Sequence, residues 1–166
     1  STIPGDKMAN PTSGHSDAFI RFLESELLPQ AEKKYKINGH RTLIGESLGG
    51  LLATEILLKK TTLFNKYIIV SPSLWWDNGS LLTLNSAIYS ASFNRPTDIY
   101  IGVGKEGLAP TAVPHVMEVD ANVLADKLSA GKNKSLNIKF DYLPAENHGT
   151  IMHQAVLNAF RLFSKK

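Results

Sequence analysis

Three residue types that can share one proton path recur in this chain in a fixed order: a serine in a glycine-rich turn, an acid after a later apolar run, and a histidine near the end. The serine is Ser47, set in Arg41-Thr42-Leu43-Ile44-Gly45-Glu46-Ser47-Leu48-Gly49-Gly50-Leu51. A serine hydroxyl is a weak nucleophile alone. A neutral imidazole must take its proton, and a carboxylate must hold that imidazole in the right tautomer. His148, in Asn147-His148-Gly149, and Glu106, in Gly102-Val103-Gly104-Lys105-Glu106-Gly107, are the residues best placed for these roles. The set points to acyl transfer. The competing reading of the serine segment alone is a Gly-Ser-Gly turn that merely caps a helix.

The elements that must position these groups follow from the hydrophobic pattern. The run before Gly45 reads as a strand and Leu48 to Lys60 as a helix, so Ser47 falls on a sharp strand-to-helix turn where glycines two residues either side permit close approach. There the Leu48 amide is an oxyanion donor candidate. Upstream, residues 1–15 read as loop, and Phe19, Ile20, Phe22, Leu23, Leu27 and Leu28 predict a helix to about Tyr35, kinked at Pro29. Downstream, Lys66 to Ser71 reads as a continuous apolar strand, Thr97 to Gly104 as a further buried one, and Leu136 to Leu143 alternates as a half-exposed one. Helices are expected over Leu81 to Ser90, about 115–130, and Ile151 to Phe163. This order, one helix followed by four strand–helix units, predicts an α/β fold with a parallel sheet, neighbours in sequence lying side by side.

In such a sheet, ligands gather past the carboxyl ends of the strands. Ser47, Ser71, Glu106 and His148 all occupy such positions. For the acid, Asp120 and Glu146 are the other choices; Asp120 lies within a predicted helix, and Glu146 sits too near His148 to reach its Nδ1 easily. Trp75, Trp76 and Ser71 are candidates for substrate contact. Glu46, beside the nucleophile, joins them as a residue that alters local charge or pairs with Arg41.

Composition excludes other chemistries. With no cysteine, disulfides, thiolate catalysis and cysteine-based zinc sites are ruled out. His148 and His153 do not have the spacing of a helical zinc pair, and no phosphate-cradling loop is present, so neither metal nor cofactor is expected. A formal net charge of +3 with interspersed signs gives no case for nucleic-acid binding. No apolar run is long enough to cross a membrane, which predicts a soluble chain, with cytoplasmic, periplasmic and secreted locations all open.

The serine segment, together with Phe64-Asn65-x-Tyr67 and Ser71-Pro72-Ser73-Leu74-Trp75-Trp76-Asp77, resembles the Putative esterase family of α/β-hydrolases, which includes esterase D-like, enterobactin and salmochelin esterases. The likeness runs from Phe19 to Gly149. It implies Ser47 as nucleophile, His148 as general base, Glu106 as the acid where one is used, and a small-molecule carboxylic ester as substrate. Members usually carry histidine where this chain has Glu46. The resemblance also implies several strands before the serine turn, so residues 1–166 are expected to form a single domain equivalent to the C-terminal portion of such a fold. The edge left open would then pair with an N-terminal segment or with another copy. The alternative function is a noncatalytic binding or scaffold module on the same fold.

Overall fold

A computed structural model describes residues 2–4, 8 and 11–164. Its centre is a sheet of four parallel strands in the order β1-β2-β3-β4: β1 (Thr42–Glu46), β2 (Lys66–Val70), β3 (Thr97–Gly104) and β4 (Leu136–Leu143). Sequence neighbours are sheet neighbours, as the strand–helix alternation predicts. Register aligns the ends that matter: Glu46 pairs with Val70, and Val70 with Gly102. The residues just past β1, β2 and β3 therefore emerge along one edge.

Side-chain alternation on β2 divides the interior into two layers. Tyr67 and Ile69 face a core shared with Ile56 and Leu57 of α3 (Leu48–Lys59) and Leu124 of α5 (Met117–Ala130). Ile68 and Val70 face the opposite way, against Ile151, Ala155 and Ala159 of α6 (Ile151–Phe163). Both faces of β2 are thus covered, which is why its sequence is apolar from Tyr67 to Val70.

Before the sheet come α1 (Ser16–Phe22), a π-helical stretch (Leu23–Leu27) and α2 (Leu28–Lys34). Where the sequence suggests a kink at Pro29, the structure widens the helix just upstream of it. A proline ring crowds the carbonyl four residues back, here that of Ser25, and a π-helical turn gives that carbonyl room.

The helix expected over Leu81 to Ser90 lies earlier. Helix α4 (Trp76–Thr83) reaches back into the tryptophan segment but is interrupted, since Asp77, Asn78 and Gly79 are at positive φ and not helical, and a separate 3-10 turn (Ala87–Tyr89) comes after it. The chain leaves the helix at Leu84, and Ser86 keeps it extended before the next turn: its hydroxyl accepts from the Ile88 N–H and donates to the Leu58 carbonyl.

Two glycines set how closely α3 packs. A Cβ on Gly45 would run into the Gly49 carbonyl, and one on Gly50 would lie 2.9 Å from Pro72 Cα, whereas Gly49 has open space around it. The requirement is for glycine at 45 and 50 rather than at 45 and 49. Gly45→Ala should cost about 2 kcal/mol or more, since the obstacle is backbone that cannot swing aside. Gly49→Ala, in a helix with room, should be neutral or stabilise by about 0.5–1 kcal/mol. Thermal denaturation of the two variants measures both; equal effects would contradict this packing account.

Candidate active site

Ser47 sits between β1 and α3 at φ 56 and ψ −120, a conformation that side-chain-bearing residues adopt rarely and at a cost of order 1–3 kcal/mol. Neighbouring backbone holds it there. The Ser47 N–H donates to Val70 O at 3.1 Å, and its carbonyl accepts from Ser73 N at 3.0 Å and Leu51 N at 2.9 Å. Its hydroxyl makes no helix-capping bond, which leaves Oγ available.

That Oγ lies 3.0 Å from His148 Nε2, and His148 Nδ1 lies 2.6 Å from Glu106 Oε2. Three residues separated by up to 101 positions thus form one continuous path. The loop carrying the histidine is fixed by its neighbour: Asn147 Oδ1 accepts from Gly149 N, and the Asn147 carbonyl accepts from Thr150 N and Ile151 N at the start of α6. This loop lies directly on the exit of β3. Lys105 N donates to Glu146 O at 2.8 Å, and a Cβ on Gly104 would approach that oxygen to 2.7 Å. Glycine at 104 lets the acid loop and the histidine loop touch.

Glu106 is held on both sides. Its side chain is only 5% exposed, and besides His148 it receives the Ser71 hydroxyl and, at 3.3 Å, the Gly104 N–H. Its backbone is gripped by a second carboxylate: Glu118, in the first turn of α5, accepts from Glu106 N at 2.8 Å and Gly107 N at 2.9 Å.

The other candidates distribute differently. Ser71 is 0% exposed and faces Glu106 instead of a substrate surface; a buried hydroxyl needs a partner, and at the end of β2 the nearest is this carboxylate. Trp75 lines a cavity of about 250 Å³ together with Ser47, Glu106 and His148, walled by Leu108, Pro110 and Met117. Trp76 lines a separate cavity of about 580 Å³ on the Leu48 side. Leu48 is 56% exposed, and its amide opens α3, where an N–H has no acceptor within the helix.

Glu46 lines neither cavity. Arg41 pairs with Glu32 and not with Glu46. Asp120 instead bonds His115, 2.8 Å from Nδ1. Among the described residues, no group of three or more His, Asp or Glu side chains could hold a metal ion.

Two residues at the site do not stand out in the sequence. Ser73 Oγ lies 3.3 Å from Ser47 Oγ, and its place two residues past Ser71 on the strand exit was the available signal. Glu118 was recognisable only as an acid opening a helix.

The fold is that of the α/β-hydrolases. The structure superposes on the BES protein from Bacillus cereus with a TM-score of 0.80 at 32% identity, covering 97% of this chain and 59% of that one. An IroE-like serine hydrolase from Shewanella oneidensis gives 0.76 at 29%, covering 90% and 48%. Within that class the chain belongs to the Putative esterase family, whose model matches residues 4–148. Among curated relatives, the ferri-bacillibactin esterase BesA of Bacillus subtilis is 29% identical over 154 residues, 91% of this chain and 52% of that protein. A siderophore enterobactin esterase of Emericella nidulans is 40% identical over 73 residues, 42% of this chain and 24% of that protein. The chain therefore spans about half the length of the first of these relatives, and about a quarter of the second.

Burial raises the pKa of Glu118, but hydrogen bonds from its own N–H and from those of Glu106 and Gly107, with the charge of Lys105, outweigh it and leave the carboxyl below its ordinary value. A carboxyl depressed in the folded state contributes stability that is complete above its unfolded pKa and lost as pH falls through the folded one. Glu118→Gln should therefore melt below the native chain at about pH 7, with the two midpoints converging as pH falls through the carboxylate range. A gap that stays constant down to about pH 3 would contradict this.

Proposed function

We propose that this chain carries the catalytic centre of a serine hydrolase acting on carboxylic esters, with Ser47 as nucleophile, His148 as general base and acid, and Glu106 as the orienting carboxylate. The observation that carries the proposal is the unbroken path from Glu106 through His148 to Ser47. His148 Nε2 takes the serine proton as Oγ attacks the ester carbonyl, and Glu106 holds the Nδ1 proton so that Nε2 is free to accept. The Leu48 N–H faces the oxygen that becomes negative. His148 then gives its proton to the leaving alcohol, and water repeats the sequence on the acyl-enzyme. Ser73, beside Ser47 Oγ, supplies a further hydroxyl at the reacting atom.

Support for the ester class comes from the family and from relatives named as siderophore esterases. Esters of siderophores are the first substrates to assay. No helix among the described residues is long and apolar enough to cross a membrane.

A fluorophosphonate probe applied to the full-length protein should label Ser47, with labelling lost in Ser47→Ala and His148→Ala. Ester turnover in those variants should fall by about 10⁴-fold or more, and in Glu106→Gln by about 10²–10⁴-fold. A folded protein that takes no label would favour a noncatalytic module instead. Unchanged turnover in Glu106→Gln would remove that residue from the mechanism.

A further inference from the structure

Resting on the serine-hydrolase reading, we propose that Ser71 is a positioning residue for the reaction: its buried hydroxyl fixes the plane of the Glu106 carboxylate and, through it, the ring of His148. The first observation is the backbone. Ser71 stands at φ 41, in the left-handed region that glycine enters without the steric cost a Cβ brings. Its N–H donates to Gly102 O at 2.8 Å, and the carbonyl of Val70 before it accepts from Ser47 N at 3.1 Å, so backbone bonds hold the turn out of β2. None of these bonds involves the side chain. A serine kept there at a conformational cost has its reason in the hydroxyl, and that hydroxyl donates to Glu106 Oε1.

The second observation is how the two carboxylate oxygens divide their partners. Oε2 faces His148 Nδ1 at 2.6 Å, while Oε1 takes the Ser71 hydroxyl and, at a longer 3.3 Å, the Gly104 N–H. The last torsion of a glutamate side chain is broad. A carboxylate held at Oε1 by the long Gly104 bond alone would turn about that torsion, and Oε2 would leave the line of Nδ1. His148 has little else to hold it, since its side chain is 48% exposed and its two ring nitrogens meet Glu106 and Ser47. Orientation therefore passes from Ser71 to Glu106, from Glu106 to His148, and from His148 to the Ser47 hydroxyl. Ser71 itself touches no reacting atom: it is fully buried and lines neither the triad cavity nor the one beside Leu48. Its removal slows the chemical step and leaves substrate binding alone.

The test uses the full-length protein and 4-nitrophenyl butanoate. Ser71→Ala and Ser71→Gly should each lower kcat by about 10–100-fold, with KM within about twofold of the native value. Ser71→Gly, relieved of its Cβ at positive φ, should melt at or above Ser71→Ala, so that lost activity does not track lost stability. In a Glu106→Gln background the further loss of kcat from Ser71→Gly should be about twofold or less, because the two residues act as one unit. The proton on His148 Nδ1, followed by NMR as a downfield resonance that Glu106→Gln abolishes, should shift or broaden in Ser71→Gly whether or not an ester turns over. A protein that cleaves no ester yet shows this change would uphold the positioning role and refute the hydrolase reading. In a protein that does cleave the ester, unchanged kcat in Ser71→Gly, or losses that multiply with those of Glu106→Gln, would overturn the role of Ser71 and leave the hydrolase reading standing. A resonance unmoved by Ser71→Gly would overturn the role in either case.

Discussion

The site depends on a carboxylate kept out of water. An ionised side chain 5% exposed is costly unless hydrogen bonds replace its hydration, and Glu106 has them from three directions: the Ser71 hydroxyl from the end of β2, the Gly104 N–H from the end of β3, and His148 from the loop after β4. One charge thereby ties together the exits of three neighbouring strands. The parallel order of the sheet is what brings those exits to one edge. The Gly104 contact with Glu146 is what lets the last two loops approach.

The proposed nucleophile rests on a different kind of constraint. Ser47 is held at positive φ by backbone alone, through Val70 and Ser73, and the same close packing that forces the turn demands glycine at 45 and 50. Because the backbone carries the strain, the side chain has no structural duty. Its hydroxyl meets only groups that bear on chemistry, His148 and Ser73. The two tryptophans extend this arrangement outward, dividing the surroundings of the serine into a small cavity over the histidine and a larger one beyond Leu48.

Much of this was legible in the chain. Continuous apolar runs mark β2 and β3 because both faces of those strands are covered, and Ser47, Glu106 and His148 stand out because each lies just past the carboxyl end of a strand. What escaped was decided by contacts distant in sequence. Ser71 reads as one more polar residue at a strand end until Glu106, thirty-five positions later, is seen to accept a hydrogen bond from its hydroxyl. Glu118 acts through two backbone N–H groups that no pattern displays. The break inside α4 comes from three consecutive residues at positive φ, Asp77, Asn78 and Gly79, all of types that visit that region more readily than other residues. Spacing alone gives Gly49 a packing role that belongs to Gly50, since it cannot say which of two adjacent glycines meets Pro72.

The central claim is that Ser47 itself carries the acyl group during turnover. Rapid-quench mass spectrometry of the full-length protein with a slowly hydrolysed ester measures this directly. An adduct of acyl mass is expected on the peptide containing Ser47, forming and decaying at rates that match product release. Turnover with no adduct, or an adduct on another residue, would contradict it.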